Sequence, residues 1–254
     1  MRSEEFISSI SRMSKENERF EALRNGIPLG EDLSGNIVLS QKREKALTVR
    51  NTCVTGVGRS GFIRRLLITL SCLYEKNEAN FLVLSPRTEY GELLRLQSMD
   101  ITVPYIRSKT DLELALETVK ELIRMREFER GQPRLFLVLD GLDELPDCNK
   151  NKDLEEYRAI FELLSRKEGV DVISGADLMK SIFSGYPGAF VGIGNCLVTT
   201  REEGKADVTY VQDDSSLSLP AIMTYPDSPS VTETVIFFNS LPKRYGEETQ
   251  NGEV

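Results

Sequence analysis

Residues Thr48–Leu70 read TVRNTCVTGVGRSGFIRRLLITL, and their interpretation decides the fold. A β-branched run leads into a turn carrying Gly56, Gly58 and Gly61, and a helical pattern follows with Ile63, Leu66, Leu67 and Leu70 on one face. A strand, a glycine loop and a helix in this order form a cradle for anions. Glycine lets the backbone approach a phosphate, and the first-turn amides and the positive helix end point at it.

Two alignments of the loop compete. Against the P-loop pattern G-x-x-x-x-G-K-[ST], Cys53 stands at the first glycine, Gly58 at the second, Arg59 at the lysine and Ser60 at the hydroxyl. Against the dinucleotide fingerprint G-x-G-x-x-G, Gly56, Gly58 and Gly61 fit without substitution, and Arg87 beyond the next strand is placed to hold a 2′-phosphate of NADP. The rest of the chain has to arbitrate.

The chain has 254 residues, 40% hydrophobic and 28% charged, a composition that suits one large or two small globular domains. Met1–Ile10 lacks a signal-peptide core, and no apolar run approaches the roughly 18 residues of a membrane span, so a cytoplasmic location is expected. Cys53, Cys72, Cys148 and Cys196 are scattered without a C-x-x-C, which argues against a zinc knuckle or a disulfide framework. Histidine is absent, and with it every Ser-His-Asp, Cys-His and imidazole-metal mechanism. The net charge of −8 disfavours non-specific nucleic-acid binding by the overall field, while DNA within an assembly stays open.

Helix-period patterns occur over Ser3–Leu23, Asp111–Arg126, Leu154–Arg166, Asp177–Phe183 and Val231–Leu241. Strand patterns occur over Asn36–Ser40, Phe81–Leu84, Ile101–Ile106, Leu135–Leu139 and Val170–Ile173, and Asn195–Thr200 with Asp207–Val211 reads as a terminal hairpin. Alternating strands and helices predict an α/β fold with a mainly parallel sheet flanked by helices. The expected organisation is a helical lead over 1–26, a core domain over 27–242 and a disordered acidic tail over 243–254.

The arbiter is the apolar strand Leu135–Leu139, which ends in Asp140-Gly141-Leu142-Asp143-Glu144-Leu145. A P-loop NTPase places such an aspartate beside the loop to hold Mg²⁺, whereas a dinucleotide-binding enzyme has no use for this acidic turn. On this basis Ser60 and Asp140 are the metal-ligand candidates. Thr55, Gly56, Val57, Gly58, Arg59, Ser60 and Gly61 are the nucleotide-binding candidates.

With these motifs in order, the chain resembles the FtsK/SpoIIIE family of motor ATPases from about Ile27 to the end of the hairpin. IPLGEDLSGNIV is similar to the family's lead-in to the P-loop strand, LVLSPRTEYGELLRL to its second strand, GVDVISGA to its sensor strand and GIGNCLVTT to its late strand. The resemblance implies a RecA-like P-loop fold with a C-terminal β-hairpin, ATP and Mg²⁺ as cofactors, and subunit or partner contacts through the P-loop flank, with Arg64, Arg65 and the acidic turn as candidates. Read as residues of the helix alone, Arg64 and Arg65 are its solvated face. A second resemblance is to STAND-class signalling ATPases, through the acidic turn and Leu197–Arg201.

Departures from the FtsK/SpoIIIE pattern fall on the chemistry. Cys53 and Arg59 replace a glycine and the lysine, and Gly141 stands where a glutamate normally follows the aspartate. Asp143 and Glu144 are the remaining candidates for orienting water. The expectation is therefore a degenerate domain with weak or absent nucleotide binding, acting as a structural or regulatory module in a DNA-transfer or secretion assembly. An active DNA-translocating ring ATPase and an NADP-dependent oxidoreductase are the alternatives.

Overall fold

The computed structural model describes residues 26–40, 50–74, 77–96, 100–128, 132–145, 169–175, 196–210 and 220–225. The helices expected over Ser3–Leu23, Leu154–Arg166, Asp177–Phe183 and Val231–Leu241, and the acidic tail, lie outside the described residues. The described strands are β1 (Pro28–Asp32), β2 (Ile37–Leu39), β3 (Arg50–Gly56), β4 (Ala79–Leu84), β5 (Asp100–Thr102), β6 (Arg134–Leu139), β7 (Val170–Gly175), β8 (Cys196–Thr200), β9 (Lys205–Tyr210) and β10 (Ala221–Thr224). Two α-helices accompany them, α1 (Arg59–Leu73) and α2 (Lys109–Phe128).

All ten strands belong to one sheet, in the order β2-β1-β10-β9-β8-β3-β7-β6-β4-β5. From β8 to β5 the neighbours are parallel, and from β8 to β2 they are antiparallel. A dinucleotide-binding sheet would place the strand after the glycine-loop helix beside the glycine-loop strand. Here β7 and β6 separate β4 from β3, and this order belongs to the P-loop alternative.

Connection direction explains where the helices sit. From β3, α1 crosses to β4 in one direction along the sheet; from β5, α2 returns to β6 in the other, so right-handed crossovers put the helices on opposite faces. The packing agrees. Ile63, Leu66, Leu67 and Leu70 of α1 share a core with Val54, Val83, Phe136 and Val138. Leu112, Leu116, Val119 and Ile123 of α2 share the other with Leu82, Leu84, Leu135, Leu137 and Leu139. Alternate residues of β4 and β6 thus face opposite layers, as strand geometry requires. Full burial of each Leu or Ile contributes about 1.5–3 kcal/mol.

Several expectations needed correction. Leu122, which the helical period over Asp111–Arg126 puts on one face with Leu112, Ala115, Leu116, Val119 and Ile123, is 39% exposed. The strand expected over Ile101–Ile106 stops at Thr102, where Pro104, which has no N–H for a ladder, follows closely; only a single bridge from Ser85 to Tyr105 continues the pairing. β1 falls in a glycine- and proline-containing stretch, residues 27–35, where the sequence reads as turns and not as a strand. Cys53 and Cys196 are both buried, and neither forms a disulfide. They lie on adjacent strands in different core layers, so they face away from each other. No helix among the described residues is long and apolar enough to cross a membrane.

At the end of the sheet away from the glycine loop, Arg134 of β6 forks onto Asp171 of β7, with the Nη2–Oδ1 bond at 3.0 Å, and donates to the Tyr74 hydroxyl at 2.8 Å. Burial pushes the Asp171 carboxyl up, and the Arg134 charge opposes that push. A carboxyl raised in the fold contributes stability at low pH that is lost as pH climbs through its folded value. Arg134→Leu removes the opposing charge and leaves Asp171 buried without its partner. We expect a loss of about 3 kcal/mol near neutral pH. Urea denaturation should show a smaller deficit at about pH 5 than at about pH 8.

Candidate functional site

The site lies at the carboxyl end of the parallel strands, where β3 turns into α1. Gly56 (φ 99°) and Gly58 (φ 73°) both adopt left-handed backbone, and α1 begins at Arg59 with no side-chain cap. The first helical bond runs from the Phe62 amide to the Gly58 carbonyl at 3.0 Å. The loop is held from behind by Thr200 of β8, whose hydroxyl donates to the Thr55 carbonyl at 2.7 Å.

Arg59 does not reach into solvent. Its side chain is 7% exposed and folds back onto Asp140, with Nε donating to Oδ1 at 2.8 Å. Ser60 donates to the other carboxylate oxygen at 2.5 Å, and Tyr90 donates to that same oxygen at 2.9 Å. Tyr90 is fully buried, and burial together with the Asp140 charge pushes its phenol pKa up, which keeps it a neutral donor. Gly175 makes room for the pair: a Cβ there would sit 2.8 Å from Asp140 Oδ1 and 3.1 Å from Arg59 Nε.

A second arginine closes the front. Arg87 donates to Ser60 Oγ and pairs with Glu144, whose hydrogen bond raises the Arg87 pKa above the ordinary guanidinium value. Glu144 also lies 3.9 Å from Arg59 Nη2. Gly141, where the FtsK/SpoIIIE resemblance leads one to expect a glutamate, has φ 69°, and a Cβ there would meet Arg87 Nε at 2.9 Å. A glutamate at 141 is therefore incompatible with this placement of Arg87.

The structure brings Ser60 and Asp140 together, as the order of the motifs suggested, although β7 stands between β3 and β6; Arg59 and Glu144 join them. Gly56, Gly58 and Gly61 line the same open cleft of about 370 Å³. Val57 is 65% exposed at the loop tip, and Thr55 enters through its carbonyl. Asp143 lies in the 3-10 turn Leu142–Glu144. Tyr90, Thr200 and Gly175 were not singled out from the sequence, and Arg87 binds Ser60 and Glu144 rather than standing free for a ligand.

Arg65 is a correction. Expected on the solvated face or at a partner contact, it is 2% exposed, donates to the Leu29 carbonyl at 2.6 Å, and stacks 4.6 Å from the Phe62 ring and 5.0 Å from the Tyr225 ring. Burial pushes its pKa down to about 9, so it remains charged at neutral pH. Arg64 pairs with Glu92 at 2.8 Å.

No protein-family profile and no curated relative matches the sequence. Solved structures do. An ATPase aligns with 88% of this chain and 94% of its own at 12% identity and TM-score 0.61. The cytoplasmic domain of the Thermomonospora curvata type VII secretion ATPase EccC aligns with 84% of this chain at 13% identity and TM-score 0.56. ATPases 2 and 3 of EssC from Geobacillus thermodenitrificans align with 83% at 14% identity and TM-score 0.52, over 47% of that chain. The fold is the RecA-like P-loop fold. The chain spans 31% of the EccC chain's length.

The RecA-like fold implies Mg²⁺ held by Ser60 and Asp140, and the residues do not fit it. Asp140 already carries a guanidinium on one oxygen and two hydroxyl donors on the other, and the Ser60 oxygen accepts from Arg87. Among the described residues no three Cys, Asp or Glu gather as a metal-binding group.

Proposed function

We propose that this chain is a RecA-like module of a secretion assembly that does not hydrolyse ATP and serves through protein contacts. The observation that carries this reading is the buried Arg59–Asp140 pair, which occupies the groups a nucleotide and its metal would need. Charge supports it. Among the described residues lining the cleft, the two guanidiniums Arg59 and Arg87 are already matched by Glu89, Glu144 and the buried Asp140, so little uncompensated positive charge awaits a polyphosphate. The secretion context rests on the type VII secretion ATPase EccC, whose cytoplasmic domain shares the fold. The net charge of −8 favours protein over DNA as the partner.

Phosphate release from ATP and Mg²⁺ tests the reading. We expect turnover at background for the wild-type chain and for Arg59→Lys. The lysine would restore a phosphate contact, but position 141 would still lack a carboxylate to orient water. Oriented water and charge stabilisation each account for several kcal/mol of barrier. Robust Mg²⁺-dependent turnover by the wild-type chain would replace this reading with that of an active ATPase.

A further inference from the structure

We infer that the Arg59 guanidinium is the built-in cation of this site: it holds the place on Asp140 that the fold otherwise gives to a divalent metal. While it is there, the cleft takes neither Mg²⁺ nor a nucleotide that requires it. The inference rests on the non-hydrolysing reading above and names the device that enforces it.

The argument is one of position, charge and access. Position is fixed by the 2.8 Å bond from Arg59 Nε to Asp140 Oδ1, made between side chains that are 7% and 0% exposed. Gly175 of β7, lacking a side chain, leaves the space beside that carboxylate oxygen to the guanidinium: a Cβ there would sit 2.8 Å from Asp140 Oδ1 and 3.1 Å from Arg59 Nε. The hydroxyl of Ser60, the other oxygen ligand expected of a P-loop, donates to Asp140 and accepts from Arg87. Mg²⁺ demands near-octahedral oxygen ligands and loses water reluctantly, and here the Asp140 and Ser60 oxygens it would use are already engaged by a guanidinium and hydroxyl donors.

Charge makes the inference testable in reverse. Without the Arg59 guanidinium, Asp140, Glu144 and Glu89 face, among the described residues, only Arg87, and the carboxylate and serine oxygens become a hard-ligand pair for a divalent cation. Arg59→Ala should therefore gain metal binding that the wild-type chain lacks. A substitution that creates affinity is a sharper test than one that removes it.

Mn²⁺ is the probe, with free ion counted by its electron paramagnetic resonance signal during titration of folded protein. We expect no uptake by the wild-type chain, uptake at least about tenfold tighter by Arg59→Ala, and a return to wild-type behaviour in Arg59→Ala/Asp140→Asn. If circular dichroism shows Arg59→Ala unfolded, Arg59→Gln is judged by the same criterion. Mn²⁺ uptake by the wild-type chain as tight as that of the variant overturns the inference, and so does a folded variant that gains nothing. Phosphate release separates the two readings: Mn²⁺ uptake by the wild-type chain without turnover sinks this inference alone, while turnover sinks the proposed function.

Discussion

Replacing Arg59 with methionine is expected to lower the stability of the fold by about 3–5 kcal/mol. Methionine keeps much of the side-chain volume, so the loss reports charge more than packing. It leaves the buried Asp140 carboxylate with two hydroxyl donors and no guanidinium bonded to it, only the more distant Arg87 charge. Removing one partner of a buried pair is costly because the other ion cannot regain its water, whereas removing both is often close to neutral. Arg59→Met/Asp140→Leu should therefore recover most of the loss, and the two positions should couple strongly in a double-mutant cycle. Urea denaturation would record a lower midpoint at unchanged slope for the single variant. A loss below about 1 kcal/mol, the range of exposed pairs, would mean that Arg59 exchanges its partner for water.

The same pair marks the boundary of what the sequence could reveal. β3, α1, β6 and the hairpin β8–β9 were legible because each is a sustained apolar pattern of one period bounded by glycine or charge. β1 and β10 were not. Pro28 and Gly30 make β1 look like a turn, yet Pro28 opens the strand, where a missing N–H is tolerated, and Gly30 is the point where β10 comes close: a Cβ there would sit 2.3 Å from the Thr224 carbonyl oxygen.

The site divided in the same way. The sequence placed Arg59, Ser60 and Asp140 near one another through the motif spacing, but a motif carries no information on where a guanidinium points. Tyr90 was hidden because it lies in a short 3-10 stretch (Thr88–Arg95) between Glu89 and Gly91, a context that reads as an exposed turn and does not announce a buried phenol. Arg65 was misread because helical periodicity assigns charged residues to the solvated face. Its burial depends on two aromatic rings and a carbonyl, two of these contributed by residues 36 and 160 positions away in sequence. Side chains that answer to distant partners escape local patterns.

Gly56→Ala should be the most damaging single methyl added to the loop. Two costs meet at this residue: φ of 99° lies where a Cβ is strained, and the Cβ would fall 2.1 Å from the Thr200 carbonyl oxygen and 2.9 Å from its hydroxyl oxygen. The obstacle is backbone of β8, paired in register with β3 through Gly56 and Thr200, so no rotamer change relieves it. The strands would have to part at the point where Thr200 holds the Thr55 carbonyl. Gly58→Ala separates the two costs, because Gly58 has φ of 73° and nothing within 4 Å of its Cβ position. Dihedral strain alone is about 1–2 kcal/mol, the loss expected for Gly58→Ala. Gly56→Ala adds the clash and should lose about 3–5 kcal/mol in all. Thermal or urea unfolding of the two variants side by side measures the difference. Equal losses would show that β8 yields to the methyl group, and that the loop is positioned by its dihedral angles rather than by the close approach of Thr200.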